Sequence, residues 1–147
     1  MKPVVRHFRG FRWEGIPLQP YKPEGTHFRD VTRQVLFGAD AGTGGELRYF
    51  ELEGEGYTTL ERHQHVHQVM ILRGRGRCLV GSEIFEVGPF DLVCVPPMTW
   101  HQFRPASREP LGFLCLVTSD RDVPQRPGEA ELEALRVSPE VAAFIRV

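Results

Sequence analysis

The sequence predicts an all-β protein, built as an antiparallel sandwich or a small barrel. Short apolar or alternating runs recur from residue 31 to about residue 118, and their spacing of roughly eight to twelve residues is typical of such folds. Turns rich in glycine and proline separate the runs, and the 147 residues include 15 glycines and 12 prolines. A net charge of −1 and this length predict one globular domain over residues 1–147.

Residues 1–30 show no regular period. Prolines interrupt this segment at Pro3, Pro17, Pro20 and Pro23. Because proline fixes φ and lacks a backbone donor, we expect an irregular N-terminal arm that lies over the domain or over a partner subunit. His7 and His27 fall within the arm and are expected at the surface.

The barrel core is predicted over about residues 31–118. Its first strands are Val31–Phe37 and Glu46–Leu52, with a glycine-rich loop between them and a turn at 54–56. A histidine-containing strand region follows at 57–72. The remaining strands are expected at 77–80, 84–87, 91–95, 101–104 and 111–117. We expect 91–95 to be buried, because it is continuously apolar after Asp91.

Two short helices are predicted over about residues 127–146. The first spans Glu129–Arg136, with acidic residues early and Arg136 late, as the helix dipole favours. The second is capped by Ser138, begins with Pro139 and runs through Ile145. Five apolar residues are expected to pack on the outside of the barrel: Leu132, Leu135, Val141, Phe144 and Ile145.

Candidate site residues concentrate at alternate positions of one segment. They are Glu61, His63, His65 and His67. In a strand such residues share one face, and burying several imidazoles and a carboxylate is unfavourable without a partner such as a divalent metal. On a straight strand, residues two apart are separated by about 6.6 Å and residues four apart by about 13 Å. Because metal–nitrogen bonds are only about 2 Å long, a shared ion requires a bend, which we place at 64–66.

Two motifs give the chain a resemblance to the cupin superfamily, specifically to its small single-domain members. Residues 69–74 resemble the strand that ends the first cupin motif, and they place His67 at the position of the family's glutamate. His63 then takes the second histidine position, and Glu61 takes the first. In the second motif Pro96 and His101 have the family spacing, although Phe90, Met98 and Pro105 depart from its usual residues. Together the motifs cover roughly residues 54–105.

The resemblance implies a jelly-roll barrel, or double-stranded β-helix, that holds one divalent transition metal (Fe, Mn, Zn, Ni or Cu). The implied ligands are His63, His67, His101 and Glu61, with His65 as an alternate ligand or as a group that orients the others. The contrasting interpretation is that these histidines line a polar barrel mouth and bind no metal.

The function predicted from this resemblance is that of a metal-dependent dioxygenase. A redox reaction is favoured because no separate general base stands out, and Arg48, which could pair a substrate carboxylate, is expected to be a solvated or salt-bridged strand residue. The alternatives are a metal-dependent isomerase and a binding module without turnover. The expected partner is a small-molecule ligand or substrate.

Composition argues against nucleic-acid binding and membrane insertion, and it indicates a cellular location. The charge balance predicts no nucleic-acid binding, and no apolar run predicts a membrane span. A cytoplasmic location follows by elimination, and the resemblance implies a homodimer in which the arm is exchanged. Cys78, Cys94 and Cys115 show no CxxC spacing and are predicted to be small buried hydrophobes.

Overall fold

The structure is a computed structural model that describes residues 2–147. Eleven strands dominate it. They are β1 (Phe8–Arg9), β2 (Arg12–Trp13), β3 (Gln19–Pro20), β4 (Arg29–Phe37), β5 (Gly45–Tyr57), β6 (His67–Arg73), β7 (Gly76–Val80), β8 (Glu83–Val87), β9 (Leu92–Val95), β10 (His101–Pro105) and β11 (Leu111–Thr118). A 3-10 turn at Ala39–Ala41 and two helices, α1 (Glu129–Leu135) and α2 (Pro139–Phe144), complete the chain.

Two antiparallel sheets enclose one apolar core. The larger sheet has the order β3-β4-β5-β11-β6-β9, and the smaller has the order β10-β7-β8. Inward side chains of both sheets meet in this core, among them Phe50 and Ile71 of the larger sheet and Cys78 and Phe103 of the smaller. The prediction of an all-β jelly-roll barrel is confirmed.

Strand β5 is longer than predicted. It continues from Gly45 through Tyr57, so the turn expected at 54–56 is wrong. The glycines serve a bend instead: Gly54 has φ +53, and the Gly56 backbone passes close to the carbonyl oxygens of Glu53 and Arg29. A β-carbon at Gly56 would lie 2.7 Å from the first oxygen and 2.8 Å from the second, so glycine is needed for this close approach.

Strand β9 lies at an edge of the larger sheet, and its predicted burial is wrong. Leu92 is 75 % exposed and Cys94 is exposed, whereas Val95 is buried. The alternation follows from the position of the strand, since only one of its faces looks into the barrel. Cys78 and Cys115 are buried as predicted.

The N-terminal arm is more regular than predicted and packs on its own chain. Strands β1 and β2 form a small hairpin, and β3 pairs with β4 at the edge of the larger sheet. Phe11 and Trp13 cover Tyr49, with ring centroids 6.0 Å and 5.2 Å from the tyrosine ring. Tyr21 packs edge-on against Phe50 of the core. His7 is exposed as expected, but His27 is partly buried.

The two helices close the outside of the barrel near the smaller sheet. The Ser138 side chain accepts a hydrogen bond from the Val141 backbone, which confirms the predicted cap. A second apolar cluster contains all five predicted residues together with Leu60, Leu79, Ile84 and Trp100. Among the described residues neither helix is long enough to cross a membrane.

Candidate metal centre

The segment between β5 and β6 crosses the mouth of the barrel without forming a regular strand. Residues 58–66 make only isolated bridges, one of which joins Glu61 to His101, so only the two ends of the strand region predicted over 57–72 belong to regular strands. The chain bends at 64–66 as the metal argument requires. Asp122 satisfies the bent backbone, because its carboxylate accepts from the amide of Gln64 at 2.8 Å and from that of His65 at 3.1 Å.

This bend and strand β10 bring three predicted ligands together. His63, His67 and His101 each offer a nitrogen, and these donor atoms lie within 4.8 Å of one another. Ring centroids are separated by 4.5 Å for His63 and His67, and by 5.1 Å for His67 and His101. Three imidazoles at such distances can converge on one ion with small side-chain adjustments.

Backbone hydrogen bonds orient two of these imidazoles. The His63 Nδ1–H donates to the His65 carbonyl at 2.7 Å, and the His101 Nδ1–H donates to the Thr99 carbonyl at 2.9 Å. Each bond leaves Nε2 as the free lone-pair donor, which is the arrangement usual for metal-binding histidines. The buried His63 Nε2 has no hydrogen-bond partner within the described chain. A metal would satisfy this atom, so the residues present fit the group that they are expected to hold.

Burial keeps the three rings uncharged. It lowers the pKa of His63 to about 4, and it also lowers the pKa of His67 and of His101. Neighbouring imidazoles act in the same direction, since two adjacent positive rings would repel each other. A neutral imidazole is the form that binds a metal, so the ligands are in the required protonation state at neutral pH.

Glu61 lies in the same region but has another partner. It is 5 % exposed, and its Oε2 accepts from the Lys22 ammonium at 2.7 Å. The cluster of converging donor atoms contains the three histidines and not this carboxylate. Coordination by Glu61 therefore stays a prediction, and in the structure it forms an ion pair with a lysine that the N-terminal arm supplies.

His65 stacks on one of the ligands instead of converging with them. Its ring lies 3.6 Å from that of His63 and is parallel to it within 2°. Asp122 binds its Nδ1 at 2.8 Å. The Gln64 backbone amide, with help from His65, lowers the pKa of Asp122 and keeps the carboxylate charged. The contact with Asp122 fixes the His65 ring, and the fixed His65 ring can hold the stacked His63 ring in place.

The centre opens into a pocket of about 250 Å³ inside the barrel. His67 and His101 lie on its wall, and Phe103 and Phe113 form an apolar side. Arg48 also lines it, and the expectation of a solvated or salt-bridged residue is wrong because this arginine is 8 % exposed and lacks a carboxylate partner within residues 2–147. The pocket thus places this cation near the neutral imidazoles of His67 and His101.

A thiol lies in the same pocket. Cys115 belongs to the inner face of β11, directly across from Arg48 on β5. The Arg48 Nη2 donates to the Cys115 Sγ at 3.6 Å. Burial raises the pKa of Cys115, and the guanidinium opposes that effect by favouring the thiolate. A buried thiol with a cationic partner is a candidate nucleophile.

Several pocket residues were not predicted as site residues. Lys22 comes from the arm, Arg33 from β4, Cys115 from β11 and Asp122 from the segment that follows it. None of these four residues lies within the two motifs, and the sequence around each of them contains no motif that marks it as a site residue. The only available signal was strand alternation, which places Arg33 and Arg48 on inward positions.

Sequence comparison identifies relatives of this chain. A family model described as a cupin domain matches residues 48–117. A protein from Rhodospirillum rubrum, 1-methylthio-D-xylulose 5-phosphate methylsulfurylase, is 54% identical over 145 residues, which are 95% of this chain and 92% of the relative.

Solved structures agree over almost the whole chain. A cupin 2 conserved barrel domain protein from Rhodopseudomonas palustris matches with a TM-score of 0.92 and 50% identity, over 98% of this chain and 100% of the other. A cupin-2 domain protein from Rhodospirillum rubrum matches with a TM-score of 0.86 and 52% identity, over 97% and 96% of the respective chains.

Proposed function

The chain belongs to the cupin superfamily, and on that premise we propose that it removes the methylthio group from C1 of a methylthio-ketose phosphate. The observation that carries this proposal is the position of Cys115, a buried thiol that shares a pocket with His67 and His101, two of the three converging histidines, and lies 3.6 Å from a guanidinium. The name of the relative from Rhodospirillum rubrum supplies the substrate class.

The proposed reaction begins with the Cys115 thiolate. It attacks the substrate sulfur, so that a sulfur–sulfur bond forms as the sulfur–C1 bond breaks. The bonding electron pair passes to C1, where the adjacent ketone stabilises it as an enolate. C1 then takes a proton within the pocket, where Lys22 offers an ammonium held by Glu61. The products are a 1-deoxyketose phosphate and a methyl disulfide on Cys115.

The second half of the reaction needs one external thiol. A low-molecular-weight thiolate attacks the methyl disulfide, leaves with the methylthio group as a mixed disulfide and restores Cys115. Each turnover therefore consumes one thiol and yields one mixed disulfide. This oxidation at sulfur balances the reduction of C1.

Different residues of the pocket have different roles in this reaction. His63, His67 and His101 would hold one divalent metal, whose chemistry when bound is Lewis-acid polarisation of the ketone oxygen. Arg48 stabilises the thiolate. Phe103 and Phe113 exclude water from the reacting sulfur atoms, since they form the apolar wall of the pocket.

Cys115→Ser tests the proposal. We expect the wild type to convert 1-methylthio-D-xylulose 5-phosphate to the deoxy product in the presence of a small thiol, and Cys115→Ser to show no conversion. When the wild type is incubated with this substrate and no thiol is added, intact-mass measurement should find the protein heavier by one methylthio group. Cys94→Ser is the matched control, because Cys94 is exposed outside the pocket. Equal conversion by Cys115→Ser would exclude this mechanism.

The dioxygenase, the isomerase and the binding module without turnover stay predictions. An oxygen electrode separates the first from the proposed transfer, since methylthio transfer to a thiol consumes no dioxygen. Oxygen uptake stoichiometric with substrate loss would favour the dioxygenase.

A further inference from the structure

Two arginines in the pocket lack the acidic partners that buried cations normally have. Arg33 and Arg48 both line the pocket, and the Nε of each is buried without a hydrogen-bond partner in the described chain. Neither forms an ion pair within residues 2–147. Arg48 is buried and Arg33 is partly buried, and withdrawing an uncompensated charge from water is unfavourable, so such a pair signals a ligand of opposite charge.

Strand register explains why the two guanidiniums are neighbours. Arg33 lies opposite Phe50, and Arg48 lies opposite Val35, so the arginines occupy diagonal positions on the inner face of β4 and β5. Diagonal side chains of this length come within reach of each other. The guanidinium carbon of Arg48 also lies 4.9 Å from the centroid of the Phe50 ring, and this cation–π contact holds the guanidinium in place.

The acidic groups near the pocket are already paired. Glu46 accepts from Arg121 at 2.9 Å, Glu61 accepts from Lys22 at 2.7 Å, and Asp122 is bound by His65. The arginine pair therefore keeps its two positive charges facing the cavity. Its remaining contacts are with neutral atoms: Arg33 donates to the Gln19 Oε1 at 3.3 Å, and Arg48 donates to the Cys115 Sγ.

We propose that Arg33 and the Nε edge of Arg48 form an oxyanion subsite that binds the phosphate group of the substrate. A dianionic phosphate accepts several hydrogen bonds and compensates both charges, and planar guanidinium groups suit its geometry. This inference rests on the proposed function, because it identifies the residues that recognise the phosphate of the ketose phosphate. Arg48 then contacts two groups, the thiolate through Nη2 and the phosphate through Nε.

Inorganic phosphate tests the subsite without turnover. A ligand that binds only the folded state raises the thermal unfolding midpoint, so we expect phosphate to stabilise the wild type more than chloride at equal ionic strength. Charge-assisted hydrogen bonds are worth about 1.5–3 kcal/mol, so Arg33→Gln and Arg48→Gln should each weaken phosphate binding by about 10- to 100-fold. Arg77→Gln is the matched control, because Arg77 pairs with Glu140 outside the pocket.

All proteins are compared at equal metal content, so that phosphate bound directly to a metal contributes equally. Arg33→Lys is a second variant that retains the charge; intermediate affinity is expected. Equal phosphate affinity in wild type and both glutamine variants, or no phosphate-dependent stabilisation of the wild type, would overturn the subsite.

Steady-state kinetics with the methylthio substrate distinguish a failure of the phosphate subsite from a failure of the proposed function. Arg33→Gln should raise KM for the phosphorylated substrate by about 10-fold or more with kcat nearly unchanged, since it removes a binding contact remote from the reacting sulfur. A protein that binds phosphate through these arginines but leaves the methylthio substrate intact would refute the proposed function alone. A protein that transfers the methylthio group but binds phosphate independently of them would refute the subsite alone.

Discussion

Three converging imidazoles make metal retention depend on single side chains. Deleting His63 or His101 leaves two converging nitrogens, so we expect His63→Ala and His101→Ala to lose most of the metal that the wild type retains. Elemental analysis of protein purified without chelator measures this loss. His7→Ala is the control, since His7 is an exposed arm residue. Full metal content in both ligand variants would contradict the three-histidine centre.

The reactivity of Cys115 should depend on pH in a defined direction. Burial raises its pKa, so the thiol is largely protonated at neutral pH and the thiolate fraction grows as the pH rises. We therefore expect kcat to increase from neutral toward alkaline pH. Arg48→Gln should move the rise to higher pH, because the guanidinium is the group that favours the thiolate.

Alkylation by iodoacetamide, followed by peptide mass spectrometry, measures the Cys115 thiolate directly. Exposed Cys94 in the same protein gives the internal reference. A rate of Cys115 alkylation that already levels off below neutral pH would contradict the raised pKa.

The proximity of the histidines could be predicted from sequence, whereas most of the pocket could not. His63 and His67 fall within one short motif, and metal–ligand distances demand the bend that the structure contains. Cys115, by contrast, is one small residue in an apolar run and carries no local sign of its neighbour Arg48. Such a pair becomes visible only when the register of β5 and β11 is known.

The positions of the strands and helices along the chain were more predictable than the tertiary contacts that these elements make. Alternating patterns located most of the barrel strands, and the Ser138–Pro139 pair located α2. The errors fell where tertiary contacts override local pattern: β5 continues through the glycines at 54–56, because they allow a bend instead of a turn. Similarly, one face of the apolar strand β9 is exposed, because only its other face looks into the barrel.

The C-terminal segment braces the strand that carries His101. Gln102 of β10 is fully buried, and its amide donates to the Thr58 carbonyl and to the Arg146 carbonyl, both at 2.8 Å. Its Oε1 accepts from the Arg146 backbone at 2.9 Å. One side chain thus ties the metal strand to the barrel mouth and to the residues after α2.

Removing this side chain should destabilise the fold. Gln102→Ala leaves three backbone groups without partners, and we expect the free energy of unfolding to fall by about 2–4 kcal/mol. Urea denaturation measures the change. Gln125→Ala, at an exposed glutamine that accepts from Arg62 at 3.3 Å, should stay within about 0.5 kcal/mol of the wild type. Equal effects of the two substitutions would show that the Gln102 contacts are not structurally important.

For the protein as a whole, the outer face of the larger sheet is covered unevenly. The arm covers the part around Tyr49 and reaches Arg73 of β6, whereas outward side chains farther along β6, β9 and β11 are exposed in the described chain. Met70 pairs with Leu92, and Leu116 lies on the adjacent row. These three side chains are 36%, 75% and 44% exposed, and Phe90 beside them is 74% exposed. A contiguous apolar patch of this kind is typical of a protein–protein interface.

We propose that a second copy of the chain covers this patch, because its four side chains are apolar and exposed and the resemblance to small cupins leads us to expect a homodimer. Light scattering coupled to chromatography should give a dimer for the wild type at micromolar concentration. Leu92→Asp should give a monomer, since it would bury a charge at the centre of the apolar contact. Val123→Asp is the control, because Val123 is 84% exposed but lies outside the patch. A monomeric wild type would refute the dimer, and a dimeric Leu92→Asp would move the interface elsewhere, with the exchanged arm as the next segment to test.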